Sequence, residues 1–168
     1  MRLFIAIPLS QSFRDSLITV QNEWFNRGIR GNYSSEENLH ITLAFIGEFP
    51  DPDLVLDALS SVSFSPVPIE LSGIGSFGDL WWAGISGSPS LEAVSRRIRR
   101  ALSESDIPFD RKRFNPHITL LRKASAARIP AVEIPQASME VESIVLFRSD
   151  RGKSGMIYTE LGRVVCET

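Results

Sequence analysis

The chain has 168 residues, 23% of them charged and 43% hydrophobic, with a formal net charge of −2. That length and composition suit one compact domain or two small lobes, and they exclude a disordered or fibrous chain. No apolar run approaches the roughly 20 residues of a bilayer span, and the single cysteine, Cys166, excludes an internal disulfide framework and a Cys-based zinc site.

The mostly apolar opening Met1–Leu9 is cut short by Pro8 and a polar run, with no small-residue cleavage site after it, so no signal peptide is expected. A cytoplasmic, reducing home and a monomeric state are the expectation, with no partnership with a membrane. Cys166 then reads as an inert thiol near the end of the chain. The nearly balanced charge argues against a protein that coats nucleic acid, because coating needs many Lys and Arg contacts with phosphates. A site for one phosphate at a chain end needs only a local positive patch.

In chain order, Leu3 to Pro8 is apolar and β-prone and predicts a strand. Ser10 or Ser12 can cap a following helix whose apolar face is Phe13, Leu17, Val20 and Trp24, with Gly28 as its stop. A polar loop, Gly31 to Asn38, leads to an alternating strand from His40 to Ile46. Asp51 and Pro52 suit the N-cap and first position of a second helix, with Leu54, Val55, Ala58, Leu59 and Val62 on its inner face. Pro66 and Pro68 predict an edge-like strand running to Gly75.

The second half repeats the order. Leu80 to Ile85 predicts a strand, and Ser88 and Pro89 open a helix with Leu91, Val94, Ile98 and Leu102 on one face. His117 to Leu120 is the next strand, and Ser138 to Phe147 and Met156 to Val165 are two closing strands. Asp150 to Gly155 reads as the hairpin loop between them. A shift of 77 residues (117 − 40) carries His40 onto His117 and Leu3-Phe4-Ile5-Ala6 onto Leu80-Trp81-Trp82-Ala83 without a gap. Two copies of a strand–helix–strand unit, packed about a pseudo-two-fold axis, would bring equivalent residues to face each other across a groove.

The chain has two histidines, and Ile-Thr-Leu follows each. Strand alternation places His40 and Thr42 on one face, with Ile41, Leu43 and Phe45 on the other, and likewise His117 and Thr119 against Ile118 and Leu120. The apolar sets pack on helices, which leaves two imidazoles and two hydroxyls for the groove. In-line chemistry at phosphorus wants a base and an acid on opposite sides of the phosphorus, and imidazole serves in either role near neutral pH. Threonine hydroxyls can donate to the non-bridging oxygens. A lone His in a strand is ordinarily a hydrogen-bonded structural residue, but the matched pair favours chemistry over that reading. Metal binding by the pair is disfavoured, because catalytic zinc takes three protein ligands and no acidic motif adjoins either His.

The two tetrapeptides resemble the paired His-x-Thr-x motifs of the 2H phosphoesterase superfamily. The flanks Asn38-Leu39-His40-Ile41-Thr42-Leu43-Ala44-Phe45-Ile46-Gly47-Glu48 and Arg113-Phe114-Asn115-Pro116-His117-Ile118-Thr119-Leu120-Leu121-Arg122 resemble those of the bacterial and archaeal RNA 2',3'-cyclic phosphodiesterases, also called the 2'-5' RNA ligase family. The opening Arg2-Leu3-Phe4-Ile5-Ala6-Ile7 is similar to that family's first strand. The resemblance implies a bilobal, pseudo-two-fold α+β fold of duplicated β-α-β units, with antiparallel sheets flanking a central groove. It implies one domain over 1–168, with lobes at about 1–78 and 79–168 and interleaving allowed at the termini. It further implies hydrolysis of a terminal 2',3'-cyclic phosphate on RNA to a 2'-phosphomonoester without metal or cofactor, and in vitro joining of tRNA halves through a 2'-5' bond as the reverse reaction.

Carried over, His40 is the proton donor, His117 the proton acceptor, and Thr42 and Thr119 bind the phosphate. The residues themselves leave acid and base open, since the two motifs are identical. Arg122 matches the family's Leu-Leu-Arg and could reach the phosphate or base if a twist or bulge offsets strand alternation, which puts it opposite His117. Phe45 could stack a base, although core packing is its default, as it is for Trp81 and Trp82. Arg96, Arg97, Arg99 and Arg100 read as a solvated helix face open to RNA backbone contact. Tyr158 falls where the family carries Tyr-Thr-Pro-Leu, but Glu160 replaces the Pro, and no role is assigned to it. The competing readings are hydrolysis of a small cyclic nucleotide or a 2'-5' oligonucleotide, and non-catalytic binding of RNA ends.

Overall fold

A computed structural model describes residues 1–86 and 89–167. The elements in order are β1 (Arg2–Pro8), α1 (Gln11–Asn26), β2 (Asn32–Tyr33), β3 (His40–Glu48), α2 (Pro52–Ser60), β4 (Val67–Phe77), β5 (Leu80–Ile85), α3 (Pro89–Glu104), β6 (His117–Arg122), β7 (Ser138–Val141), β8 (Ser143–Gly152) and β9 (Gly155–Val165). The helices α1 and α2 begin where the polar caps predict. The Ser10 hydroxyl accepts from the Phe13 N–H at 3.3 Å, and the Asp51 carboxylate accepts from the Leu54 N–H at 3.2 Å with Pro52 at the first helical turn. Gly28, at φ +85°, ends α1 in a conformation that favours glycine. Ser88, expected to open α3, lies outside the described residues.

The strands form two antiparallel sheets, β3-β1-β8-β9 and β2-β6-β5-β4-β7. The fold is two-lobed α+β, and the sheets exchange strands. The C-terminal pair β8–β9 completes the sheet begun by β1 and β3, while β2 and β4 complete the sheet of β5 and β6. The apolar faces read from the helical spacing are buried: Phe13, Leu17, Val20 and Trp24 on α1, and Leu91, Val94, Ile98 and Leu102 on α3.

Several expectations are corrected. Leu54 is 37% exposed and does not join the inner face of α2. β4 is not an edge strand, since it lies between β5 and β7. Its proline is tolerated because Val67–Glu70 pairs only with β7, and pairing with β5 begins at Leu71, so Pro68 has one open side where its missing N–H removes no ladder bond. The strand predicted from Ser138 to Phe147 is two strands, because the chain leaves β4 at Val141 and joins β1 and β9 from Ser143. The polar loop Gly31–Asn38 contains β2, which pairs Asn32 and Tyr33 with the end of β6. The hairpin turn narrows to Lys153 and Ser154, with Gly152 paired to Gly155.

The gapless 77-residue match also slips by one residue in the first strands. Ala6 pairs with Thr42 as Trp82 pairs with Thr119, so Ala6 and Trp82 (82 − 6 = 76) occupy matching places. Phe4, two residues before Ala6, shares that face and meets His40 with ring centroids 5.0 Å apart, while Trp82 meets His117 at 6.2 Å. Trp81 instead turns into the core against Trp24 at 5.0 Å. A one-residue slip exchanges the two faces of a strand, and burial of the larger apolar set decides which register holds.

Candidate active site

His40 is the first residue of β3 and His117 the first of β6, and these two strands lie against each other where the sheets meet. Alternation buries Ile41, Leu43, Ile118 and Leu120 at no more than 1% exposure and leaves the His and Thr side chains half-buried on the groove. Each imidazole is held the same way. His40 Nδ1 lies 2.7 Å from the Asn38 carbonyl oxygen, and His117 Nδ1 lies 2.6 Å from that of Asn115. A carbonyl only accepts, so Nδ1 carries the hydrogen in both rings and Nε2 is the nitrogen left for chemistry. His40 Nε2 meets the Thr42 hydroxyl at 2.9 Å.

The two sides differ electrostatically. Burial pushes the His40 pKa below its ordinary value; the Asn38 carbonyl opposes this, and the charges of His117 and Arg122 reinforce it. Burial raises the Tyr158 pKa, with Arg122 acting the other way. Arg122 therefore acts on both His40 and Tyr158, although alternation alone would turn it away from the groove.

The cause is a pair of matching bulges. On β3, Ala6 pairs with Thr42 and Ile5 with Ala44, so Leu43 is the extra residue. On β6, Trp82 pairs with Thr119 and Trp81 with Leu121, so Leu120 is the extra residue. Each bulge lies three residues past its His and reverses the alternation beyond it. Arg122 thereby returns to the face of His117 and Thr119. Phe45 is likewise turned out of the core: it is 37% exposed, pairs with groove-facing Phe4, and carries the Arg2 guanidinium 5.3 Å from its ring centroid. The Leu120 carbonyl accepts from the Ser34 N–H at 3.0 Å and from the buried Gln21 amide at 2.9 Å. α1 thus holds the second bulge in place.

Aromatic rings wall both histidines. Phe4 and Tyr158 flank His40, the latter at 5.4 Å, and Phe77 and Trp82 flank His117, the former at 5.6 Å. A Cβ on Gly75 would come within 2.3 Å of the Trp82 indole, so glycine there gives the indole its place. Sequence reading left Tyr158 without a role and missed Phe77 and Phe4. Their only signal was aromatic character at a strand end, which is common in any core. A cleft of about 460 Å³ adjoins His117 and Thr42, with Phe77, Arg113 and Phe114 among its walls.

Three of the four arginines of the basic run on α3 are engaged locally. Arg97 donates to the Ser63 carbonyl at 3.2 Å, Arg99 to the Lys112 carbonyl at 2.7 Å, and Arg100 pairs with Glu104 at 3.1 Å. Among the described residues no cluster of three or more His, Cys, Asp or Glu could hold a metal, and no helix is long and apolar enough to cross a membrane.

Two lobes sharing a groove, each presenting a His and a Thr from an equivalent strand, define the two-His phosphoesterase class. The chain matches the family model described as the 2'-5' RNA ligase superfamily over residues 20–153, and it belongs to that family. It is 34% identical over 177 residues to a Thermus thermophilus protein named RNA 2',3'-cyclic phosphodiesterase, covering 96% of this chain and 88% of that one. A protein of the same name from Aeropyrum pernix is 32% identical over 145 residues, covering 77% of this chain and 82% of that one. Crystal structures of E. coli LigT superpose with a TM-score of 0.84 in the apo form and 0.82 with 3'-AMP, each at 28% identity over 99% of this chain and 98% of LigT.

Proposed function

We propose that the protein is an RNA 2',3'-cyclic phosphodiesterase that opens a terminal 2',3'-cyclic phosphate to a 2'-phosphomonoester. The observation that carries this reading is the pair of imidazoles on one groove, each held with Nε2 free of the backbone and with a Thr two residues on.

His117 Nε2 takes a proton from water as the oxygen attacks phosphorus. The bond from phosphorus to the 3'-oxygen breaks, and His40 Nε2 gives its proton to that oxygen. Thr42, Thr119 and Arg122 hold the non-bridging oxygens, where charge grows in the transition state. The phosphate's negative charge opposes the burial of His40 and lets it carry the proton it must donate. Phe45 borders the substrate as a surface for a base. No step requires a metal or cofactor. With a 5'-hydroxyl in place of water as the attacking group, the same steps form a 2'-5' bond. The two lobes act as one domain, a monomer in the cytoplasm.

The test is a short RNA ending in a 2',3'-cyclic phosphate, incubated with the protein in excess EDTA, with the product identified as 2'- or 3'-phosphate. A 2'-phosphate formed in EDTA supports the reading. A 3'-phosphate, or no reaction with or without divalent metal, overturns it and turns attention to smaller cyclic nucleotides or to binding alone.

A further inference from the structure

The mechanism leaves unused the outer half of the β8–β9 hairpin, which stands beside His40. Its pairing runs without a shift from Phe147 to the turn, with Ser149 opposite Tyr158 and Arg151 opposite Met156. Phe147 and Tyr158 both meet Phe4, at 5.3 and 4.9 Å, which fixes their face as the one that looks into the groove. Alternation then puts Ser149, Arg151 and Met156 on that face as well.

The two faces of the hairpin carry charge differently. On the far face Arg148 and Asp150 pair at 3.0 Å and cancel. On the groove face Arg151 is exposed and has no ion pair among the described residues, and Met156 beside it is 37% exposed. A free guanidinium next to an exposed, polarizable thioether is a surface for a phosphate and a neighbouring base. The strip is also tied to the reacting centre. The Asn38 amide donates to the Met156 carbonyl at 2.8 Å, and the Asn38 carbonyl accepts from His40 Nδ1 at 2.7 Å.

We infer that this strip binds the single-stranded RNA immediately 5' of the cyclic-phosphate nucleotide, with Arg151 on a phosphate and Met156 under a base. The inference rests on the proposed function. If His40 protonates the 3'-oxygen, the terminal ribose lies on the His40 side, and the strand leaving it through its 5'-carbon starts at this hairpin. From the Ser149–Tyr158 pair to the Arg151–Met156 pair is roughly 7 Å, a step of nucleotide size.

The test compares a 2',3'-cyclic mononucleotide with a four-nucleotide RNA bearing the same end, using wild-type protein, Arg151→Gln and the far-face control Arg148→Gln. In Arg151→Gln the KM for the RNA is expected to rise about tenfold. The slope of log KM against log salt for the RNA is expected to fall by about 0.7. The mononucleotide KM and both kcat values stay put, and Arg148→Gln changes neither substrate. An unchanged RNA KM and salt slope in Arg151→Gln, an equal rise for both substrates, or a wild-type KM that is the same for both overturns the inference while the enzyme reading stands. Wild-type protein that hydrolyses neither substrate overturns the proposed function, and this inference with it.

Discussion

His40 and His117 present the same nitrogen to the groove because the carbonyl two residues before each, from Asn38 and Asn115, holds its Nδ1–H at 2.7 and 2.6 Å. A backbone acceptor fixes the ring without adding a second ionisable group. Nε2 of each ring is thereby left for the proton transfers proposed above.

Replacing either histidine by Ala should cut kcat on a cyclic-phosphate RNA by roughly 10²–10⁴ while largely preserving RNA binding. The double variant should lose little more than the worse single one, since the two act in one step. Steady-state kinetics beside a binding titration check this. Near-wild-type turnover in either single variant would remove that residue from the mechanism.

The bell-shaped pH profile expected of the pair should have one limb below the ordinary imidazole value of about 6.5, because burial depresses the His40 pKa. The profile of kcat/KM reads the free enzyme. A flat profile between about pH 5 and 8, or one with no limb below about 6.5, contradicts this assignment.

The same burial makes a stability prediction. The folded pKa of His40 is depressed, so the unfolded chain binds the proton more readily. The stability contributed by neutral His40 is fully present above about pH 6.5 and is lost as pH falls through the folded value. Thermal unfolding at pH 8 and pH 5 should therefore show a smaller acid-induced drop in His40→Asn than in wild type. Equal drops would mean that His40 is not desolvated.

Gln21 should prove structural for the site despite its place on α1. Its amide donates to the Leu120 carbonyl at 2.9 Å and to that of Ser34 at 3.0 Å, inside the bulge that aims Arg122. Gln21→Leu leaves those acceptors short of a donor and should cost about 1–3 kcal/mol in denaturant unfolding. Phosphate-dependent KM should rise with it, through displacement of Arg122. An unchanged unfolding midpoint would show that Ser34 alone satisfies the bulge.

Gly75→Ala should displace Trp82, because the new Cβ would sit 2.3 Å from the indole and paired strands leave the backbone little room. Overpacking of this kind costs about 1–3 kcal/mol. The change should appear as altered tryptophan fluorescence and lower turnover through the loosened wall beside His117. Unchanged fluorescence and stability would mean that the β4–β5 pair yields more readily than its pairing suggests.

The order of elements apart from β2 and the break between β7 and β8, the caps of α1 and α2, the core faces of α1 and α3 and the matched His and Thr pairs were legible in the amino-acid sequence. Each follows from short-range rules: a period of 3.6 or 2, a capping oxygen, a repeated tetrapeptide. What those rules could not reach was decided between strands distant in the chain. The pairing of β1 with β3 and of β5 with β6 inserted Leu43 and Leu120 as bulges, and strict alternation then failed just where Phe45 and Arg122 begin. The choice of Trp82 over Trp81 for the groove came from the fit of Trp81 against Trp24 on a helix more than fifty residues away. Tyr158 reached His40 because β9 crosses to the first lobe's sheet, beside β8, a neighbour relation that no local pattern carries. Local sequence determined which residues could do the chemistry; strand register, set by burial and by the hydrogen bonds around the bulges, decided which of them face one another.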